Sequence, residues 1–390
     1  MSLGRKLKQL TESYGIAKTS KFLGDAIRDK KINRHTISIR QLAESFMGSD
    51  WAEQLYRYNS GVRVREATEG VDASSFTAIT GQLLVNEIKD KYDLAAFVGD
   101  EVAETIPVTN GNLKEQKVPW LSNVIDSVEK VEEGMPYPHT SFSPNYIEYP
   151  AIEKIGKICA VTMEAIYSDL TGQILDSAGS VGTYCGIARE ERILKVVLGL
   201  TNNHKWNGSS YNTYLTSGSW VNKVASFTMT DWSSINTLEQ LFANMLDPNT
   251  GKNILIEPKQ LFVMPANKYR TRRAITATNT RSGDFATSGN PDQIEAPNPL
   301  DKDYQILTSP HARRLLVESG VSSSNADKYV FLGDFKKAFI WREAKPLTVV
   351  EAPAQNPMEF NQDIALAVKA SLMGVAAVRD PRFVAFGSPT

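Results

Sequence analysis

The last part of the chain constrains its fold most, because it contains consecutive segments with the composition of β-strands. Residues 336–351 read KKAFIWREAKPLTVVE, and residues 359–386 read EFNQDIALAVKASLMGVAAVRDPRFVAF. Such apolar and β-branched runs predict extended structure. Upstream, residues 247–275 (DPNTGKNILIEPKQLFVMPANKYRTRRAI) predict a turn, a strand and a helix. Neither stretch contains a catalytic constellation, so the pattern favours a protein that forms a surface over one that turns over a substrate.

The composition is that of a folded protein. The chain has 390 residues, of which 42% are hydrophobic and 22% charged, and its formal net charge is −1. This length allows two or three compact units, and the charge balance means that any nucleic-acid binding must be local. Cys159 and Cys185 give neither a metal-site spacing nor a disulfide framework, and we expect Cys159 to be a small buried side chain. Residues 1–15 lack the apolar core of a signal peptide, and no stretch reaches the ~18 apolar residues of a membrane span. We therefore expect a protein kept in the cytoplasm or in something assembled there.

Residues 1–60 are predicted to form short helices with a local excess of positive charge. Residues 1–40 contain ten Lys and Arg against three Asp and Glu. Apolar residues recur at helical spacing, and Thr19-Ser20 and Ser38 are candidate helix caps. Short helices joined by turns are compatible with a helix-turn-helix, but they favour an amphipathic arm that packs on a partner or faces a polyanion.

The next segments alternate between helix and strand. A short helix is predicted by apolar residues that share one helical face: Leu83, Leu84, Ile88 and Tyr92. Residues 95–108 are predicted to be a strand. Residues 108–160 are rich in Pro, Gly, Ser and aromatic residues and predict a long two-stranded excursion whose tip lies near residues 132–143. Because an isolated hairpin is only marginally stable in water, this excursion needs a neighbour to lie on.

Residues 162–200 give the clearest helix prediction, with Glu164 early and Lys195 late to suit the helix dipole. Its interior glycines would each weaken it by ~1 kcal/mol relative to alanine, unless they permit close packing or a bend: Gly172, Gly179, Gly182 and Gly186. Residues 201–235 are predicted to be a polar loop. A helix is predicted to begin at Ser234. The remaining predictions are a turn at 247–251, strands at 258–265, 304–310 and 328–334, a helix after residue 265, and a long loop at 279–301.

The residues that could carry chemistry form no recognisable site. No nucleophile elbow, phosphate-binding loop, dinucleotide-binding glycine pattern or zinc-protease motif is present. The histidines stand apart from one another: His35, His139, His204 and His311. The pair Asp301/Asp303 lacks the further oxygen ligands that a cation site needs. Glu132 and Glu133, at the tip of the excursion, are expected to be solvated or to make a charge contact between subunits, and not to act as a general-acid pair. On a helix, Arg270, Arg272 and Arg273 would form a positive ridge, which is either a solvated face or a surface that pairs with acidic residues of a neighbouring copy.

The order of these elements resembles that of the major capsid protein of tailed phages, whose HK-ninety-seven-type fold encapsulins share. The residues that carry the resemblance are 131–169 (VEEGMPYPHTSFSPNYIEYPAIEKIGKICAVTMEAIYSD), 246–275, 331–351 and 363–386. The resemblance implies an α+β fold with these parts: a helical basic N-terminal segment (1–60), an N-arm and the start of the peripheral domain (61–107), an E-loop β-hairpin (108–160), a spine helix (161–203), an axial domain (204–332) and a return to the peripheral domain (333–390).

The same resemblance implies a structural function without catalysis, cofactor or metal. The chain would assemble into hexamers and pentamers of an icosahedral head that encloses double-stranded DNA without sequence specificity. Portal, scaffold or decoration proteins would be further partners, and no membrane would be involved. The protein would be located in the virion capsid after assembly in the bacterial host cytoplasm.

The resemblance also selects candidate contact residues, because the E-loop of one subunit would lie across its neighbour. Candidates for inter-subunit contacts are Trp120, Tyr137, Phe142, Arg270, Arg272 and Arg273, although the aromatic residues could instead pack within their own hairpin. Candidates for facing DNA phosphates on the inner surface are Arg5, Lys6, Lys8, Lys30, Lys31 and Arg34. Three alternatives stay open: an encapsulin-type shell that encloses enzymes, a DNA-binding regulator that uses residues 1–50, and an unrecognised hydrolase.

Overall fold

The structure is a computed structural model, in which the chain divides into two compact units. The first unit comprises Met1–Ala95, Lys154–Ala188 and Lys345–Met373, and the second comprises Ala96–Glu153, Arg189–Ala344 and Gly374–Thr390. The described residues are 3–15, 18–19, 22–23, 25–26, 29, 31, 38–59, 67–92, 97–108, 113–120, 131–135, 145–169, 173–201, 204–218, 220–247, 251, 253–277, 279–282, 294–298, 300, 304–352 and 363–389.

Helices and strands both contribute to the fold, which confirms the predicted α+β class. The helices are α1 (Leu3–Tyr14), α2 (Ile39–Met47), α3 (Trp51–Asn59), α4 (Ala67–Asp90), α5 (Gly99–Val102), α6 (Met163–Ser168), α7 (Gln173–Val197), α8 (Trp232–Ala243), α9 (Lys268–Thr276), α10 (Pro310–Glu318), α11 (Ser323–Ala326) and α12 (Phe335–Ala338). The strands are β1 (Glu104–Pro107), β2 (Gln116–Pro119), β3 (Tyr146–Tyr149), β4 (Glu153–Thr162), β5 (His204–Trp206), β6 (Ser209–Tyr211), β7 (Lys223–Val224), β8 (Gln260–Val263), β9 (Asn279–Ser282), β10 (Ile294–Pro297), β11 (Gln305–Leu307), β12 (Val330–Gly333), β13 (Phe339–Glu351), β14 (Ile364–Val378) and β15 (Val384–Gly387).

In the first unit, helix α2 follows the apolar pattern of the sequence. Ser38 caps it as predicted, since its side-chain oxygen accepts a hydrogen bond from the Gln41 N–H at 3.4 Å. The helix ends at Gly48, whose φ of +83° is left-handed. Thr19, which was also predicted as a cap, donates from its hydroxyl to the Gly15 carbonyl at 3.0 Å. Ser20 lies outside the described residues.

Helix α4 is longer than the short helix predicted, and it packs closely against α7. Leu83, Leu84 and Ile88 are buried on one face, as the spacing predicts. A Cβ atom at Gly182 of α7 would lie 2.0 Å from the Ile88 carbonyl oxygen. The two helix backbones therefore approach too closely at this point for any residue other than glycine.

The predicted single helix over residues 162–200 is two helices, α6 and α7. Thr162 caps α6 by accepting a hydrogen bond from the Ala165 N–H at 3.3 Å. The helix ends at Asp169, whose ψ of 93° is extended. The Asp169 carboxylate accepts a hydrogen bond from the Ile39 N–H at 2.8 Å, and its carbonyl accepts one from the Ser38 hydroxyl. These bonds hold Asp169 out of the helical path, so the helix stops before Gln173.

The second unit contains a five-stranded sheet with the order β11-β8-β12-β15-β7. Strand β12 is antiparallel to both β8 and β15, whereas β11 runs parallel to β8. Val330, Phe331 and Leu332 of β12 are fully buried, as expected for a central strand. Ile235, Leu238 and Phe242 of α8 belong to the same apolar core. The strands predicted near residues 260, 306 and 331 and the helix near Ser234 are thus confirmed.

Residues 201–235, predicted to be a polar loop, contain the β5–β6 hairpin. Its turn is Asn207-Gly208, with φ values of +49° and +81°, the left-handed pair that a two-residue hairpin turn requires. The Asn207 Oδ1 accepts a hydrogen bond from the Tyr146 N–H, and its Nδ2 donates to the Asn145 Oδ1, both at 2.9 Å. The turn is therefore joined to β3, and the sheet has the order β2-β3-β5-β6.

The predicted excursion between residues 108 and 160 begins on this sheet. Strands β2 and β3 pair in antiparallel fashion, with Gln116 opposite Tyr149, as expected for the two arms of a hairpin. Because β3 also pairs with β5 of the same chain, the base of the hairpin does not need a neighbouring chain for support. Most of the predicted tip, in residues 136–144, lies outside the described residues.

A second four-stranded sheet has the order β1-β13-β14-β4. Within the second unit, β1 pairs in parallel with β13, with Glu104 opposite Ile340. The strand predicted over residues 95–108 is therefore present only in its second half, because the helix α5 precedes it. The Glu190 carboxylate accepts hydrogen bonds from the Val98 and Gly99 N–H groups at 3.0 and 2.8 Å. It thereby satisfies the N-terminus of that helix.

Two further elements of the second unit differ from the predictions. Residues 279–301, predicted to be a loop, contain the antiparallel pair β9–β10, with Ser282 opposite Ile294. Helix α10 has no counterpart among the predicted elements. It begins with a proline in its first turn, and Arg313 pairs with Asp327 at 2.6 Å.

Candidate functional site

The predicted basic ridge is present on helix α9 of the second unit. The helix follows strand β8 and the 3-10 turn Pro265–Asn267, and it buries Thr271 and Ala274. Tyr269 is exposed beside the arginines. Three arginines face solvent and form the ridge: Arg270, Arg272 and Arg273. Only part of the Arg270 side chain is engaged, since its Nη1 donates to the Met229 carbonyl at 3.3 Å. Exposed arginines next to an aromatic ring are typical of protein interfaces.

Two exposed leucines, Leu246 and Leu255, form a second surface feature of this unit, the leucine pair. Leu246 forms an antiparallel bridge with Asn253, and the Ile254 N–H donates to the Met245 carbonyl at 2.9 Å. This register places both leucines on one face as diagonal neighbours. They are 46% and 84% exposed, while Ile254 between them is buried. Adjacent large apolar side chains in water indicate a contact surface.

Trp120, predicted to contact a neighbouring subunit, is buried in its own unit. Its side chain is 7% exposed, and its ring lies edge-on to Trp206 with 5.6 Å between ring centroids. The Arg382 guanidinium lies 4.3 Å above the ring. Its own chain thus covers most of Trp120, and the contact with a neighbouring subunit stays a prediction. Tyr137 and Phe142 lie outside the described residues.

The N-terminal basic residues differ in what they contact. Lys6 is exposed on α1. Lys8 donates to the Phe46 carbonyl at 2.8 Å, and Lys31 pairs with Asp29 at 3.3 Å. Among the members that the structure describes, Lys6 is therefore best placed to meet a phosphate group. The side chains of the other predicted members lie outside the described residues: Arg5, Lys30 and Arg34.

Of the described histidines, His204 is poorly suited to acid–base chemistry. His204 is buried edge-on to Trp220, and this burial lowers its pKa to about 4. It is therefore neutral at physiological pH and hidden from any substrate. His311 lies against the Phe97 ring, with 6.2 Å between ring centroids. His35 and His139 are outside the described residues.

The two cysteines are protonated thiols, and the described carboxylates form no metal site. Cys185 is buried and Cys159 is half-buried, and burial raises the pKa of both thiols, which keeps them protonated. Glu132 and Glu133 are exposed. Within the described ranges, no group of three or more His, Cys, Asp and Glu side chains is arranged to hold a metal ion. The pair Asp301/Asp303 lies outside those ranges.

Comparison with known proteins identifies a family. The sequence model of the family described as phage capsid protein matches residues 147–385, which is more than half of the chain. No curated protein matches the chain. In the described part of the chain, no helix has both the length and the apolar character needed to cross a bilayer.

Several solved capsid structures are remotely similar. The capsid of a native GTA particle is 10% identical, with a TM-score of 0.45 over 76% of this chain and 90% of that chain. The capsid of Cyanophage P-SCSP1u is 12% identical, with a TM-score of 0.46 over 75% of this chain and 88% of that chain. A virus-like particle from Pyrococcus furiosus is 11% identical, with a TM-score of 0.42 over 79% of this chain and 98% of that chain.

The family assignment rests on the sequence match, which runs from strand β3 through the five-stranded sheet to strand β15. It confirms the resemblance to tailed-phage capsid proteins and the HK-ninety-seven-like α+β fold expected from it. The chain belongs to the phage capsid protein family and is a structural protein of a virion's capsid shell.

Proposed function

We propose that this chain forms the hexamers and pentamers of an icosahedral phage head and that the head encloses double-stranded DNA. The observation that carries the proposal is the family match over residues 147–385. The exposed surface of the second unit supports it, because a single chain leaves the leucine pair and the basic ridge in water. Such features become favourable when a second copy covers them.

In this proposal the parts of the chain have separate tasks. Residues 204–332 form the axial domain, and both the leucine pair and the basic ridge belong to this range. Residues 108–160 form the E-loop that reaches a neighbouring subunit, and residues 161–203 include the spine helix. Residues 61–107 and 333–390 build the peripheral domain, and residues 1–60 form the N-terminal segment.

The N-terminal segment contacts the packaged DNA through phosphate groups without reading its sequence. Lys6 supports this role because it is exposed, and Lys8 contributes less because it is bonded to Phe46. The chain acts without catalysis, in keeping with a buried neutral His204 and two protonated thiols. Assembly takes place in the bacterial host cytoplasm together with portal, scaffold or decoration proteins.

Neutralising the N-terminal cations tests the DNA part of the proposal. A variant with Arg5, Lys6, Lys30 and Arg34 all changed to Gln should form shells that protect several-fold less DNA from nuclease than wild-type shells. A plot of the logarithm of the DNA-binding constant against the logarithm of the salt concentration has a negative slope. Each lost phosphate contact should reduce the magnitude of that slope by about one. Lys8 is left unchanged so that its hydrogen bond to Phe46 persists.

The matched control changes four exposed lysines of the second unit to Gln: Lys195, Lys259, Lys328 and Lys336. This control has the same change in charge, and its shells should protect DNA as the wild type does. Equal protection by both variants would refute the role of residues 1–60 in DNA contact. Shells that contain a cargo protein in place of DNA would refute the phage-head proposal itself.

A further inference from the structure

A cavity of about 820 Å³ in the second unit combines an apolar lining with a concentration of positive charge. Its apolar lining includes Trp120, Ile147 and Ile340, which are all buried. Four cationic side chains line the same cavity against a single carboxylate, that of Asp380. Neither the capsid assignment nor the proposed assembly surfaces account for this arrangement.

Arg382, which lines this cavity, has an unused hydrogen-bond donor. The residue is 4% exposed, and it binds Asp380 with two nitrogens, Nε to Oδ1 at 2.9 Å and Nη2 to Oδ2 at 2.7 Å. Among the described residues, its buried Nη1 has no hydrogen-bond partner. A buried polar atom without a partner is costly, so a group that accepts a hydrogen bond at Nη1 would be stabilised there.

Arg342 is a second buried guanidinium in the cavity lining. It is 2% exposed and donates to two neutral acceptors, the Pro150 carbonyl at 3.2 Å and the Gln116 Oε1 at 2.7 Å. Burial lowers the pKa of Arg342 from its ordinary value, because the charged guanidinium is poorly solvated there. A buried cation whose hydrogen-bond partners carry no charge favours the approach of an anion.

Arg379 and Lys337 add charge at the accessible part of the lining. The Arg379 side chain is 48% exposed and pairs with Glu104 at 2.9 Å. Lys337 is exposed and lies 3.5 Å from an Asp334 oxygen. Exposed cations of this kind attract an anion towards the buried guanidinium groups, and guanidinium groups bind oxyanions through parallel N–H donors.

We propose that this cavity binds an oxyanion, a phosphate or carboxylate group, through Arg342 and Arg382, with the carrier of that group packed on the apolar lining. The oxyanion can be supplied by a free phosphate compound or by a carboxylate side chain of a neighbouring copy. A guanidinium group binds the oxyanion in the same way whichever source supplies it. Phosphate binding to the unassembled chain and to assembled shells distinguishes the two sources.

The test is a titration of the full-length, unassembled protein with inorganic phosphate, followed by calorimetry and thermal unfolding. Ionic strength is held constant with chloride. Wild-type protein should show saturable binding and a rise in Tm that chloride does not produce. Arg379→Gln should weaken phosphate binding at least fivefold. Arg382→Lys, which keeps the charge near Asp380 but removes the fork of donors, should weaken it by a similar factor.

The control variant is Arg314→Gln. Arg314 has nearly the same side-chain exposure, 47%, and also pairs with a carboxylate, Glu318, at 3.0 Å, but it does not line the cavity. It should bind phosphate as the wild type does. No saturable binding in wild-type protein, or equal binding in wild type, Arg379→Gln and Arg382→Lys, would overturn the proposal.

Repeating the titration on assembled shells identifies the source of the oxyanion. Binding in both states assigns the cavity to a free oxyanion. Binding to the unassembled chain alone shows that a neighbouring copy supplies the carboxylate in the shell. Because the unassembled chain is measured first, failure of shell assembly would not be mistaken for failure of the oxyanion site.

Discussion

Glu351 at the end of strand β13 places its carboxyl group against Gly81 of helix α4, where a Cβ atom would lie 2.0 Å from the Glu351 Cδ. Desolvation in this position raises the pKa of Glu351 to about 7 from an ordinary value of 4.5. The folded protein therefore binds this proton more tightly than the unfolded chain does. The resulting stabilisation is complete below pH 4.5 and is lost as the pH rises to about 7.

Replacing Glu351 by Gln should remove this pH dependence. The free energy of unfolding should rise by about 1 kcal/mol at pH 8 and change little at pH 4, a smaller effect than the full pKa shift implies because the carboxyl group is only half-buried. Urea unfolding of the unassembled chain at pH 4, 6 and 8 measures this free energy of unfolding. Glu343→Gln on the same strand is the control, and a parallel pH profile in Glu351→Gln and wild type would contradict the prediction.

Residue identity alone does not reveal the cavity. Arg342, Arg379 and Arg382 lie near the C-terminus in different surroundings, and only folding brings them together with Trp120. Arginines are usually solvated, so nothing in the local sequence distinguishes Arg342 and Arg382 as buried. By contrast, the capping role of Ser38 depends on neighbouring residues alone and was predictable.

At the scale of elements, close packing between α4 and α7 depends on Gly182. Gly182→Ala should destabilise the first unit by about 2 kcal/mol, because the added methyl group meets the backbone of Ile88 and this outweighs the higher helix propensity of alanine. Gly179→Ala on the same helix is the matched control. The atoms nearest to its methyl group would belong to the Glu87 and Lys91 side chains, 3.2 Å away, which can move.

Chemical denaturation of both variants distinguishes a clash with the Ile88 backbone from a general effect of replacing glycine by alanine in this helix. Gly179→Ala should change the free energy of unfolding by less than about 1 kcal/mol. If Gly182→Ala proved as stable as Gly179→Ala, the close approach of the helices would not be a determinant of stability.

The elements that follow local patterns were predictable from the sequence, and those that depend on distant residues were not. The buried strands β8 and β12 and the amphipathic α8 appear in the sequence as apolar runs or helical periodicity. The break after α6 depends on Ser38, which is 131 residues away along the chain. The β5–β6 hairpin had an available signal, the Asn207-Gly208 turn between two short strands. The exposure of Leu255 also had a sequence signal. In residues 253–259 it alternates with Ile254 and Ile256 and shares the outward face with polar residues.

At the scale of the whole molecule, the leucine pair should affect assembly without affecting folding. Leu255→Asp should leave the Tm of the unassembled chain nearly unchanged, since the wild-type side chain is already 84% exposed. It should reduce the yield of shells at least tenfold, because an unpaired carboxylate would be buried between subunits. Leu255→Met, which keeps an apolar side chain of similar size, should assemble as the wild type does.

Sedimentation of each variant under assembly conditions, with Tm measured in parallel, gives both readouts. Normal shells from Leu255→Asp would exclude the leucine pair from the subunit interface. A large loss of Tm in Leu255→Asp would instead show that Leu255 supports the fold of its own chain.

Electron microscopy of the purified protein expressed by itself tests the central claim most directly. Samples would cover a range of protein concentration, salt and crowding agent, with nuclease-protected DNA assayed on the same particles. We predict closed shells of uniform size, with capsomers of fivefold and sixfold symmetry and DNA inside them. A monodisperse monomer or small oligomer under every condition would contradict assembly of this chain into a capsid shell by itself.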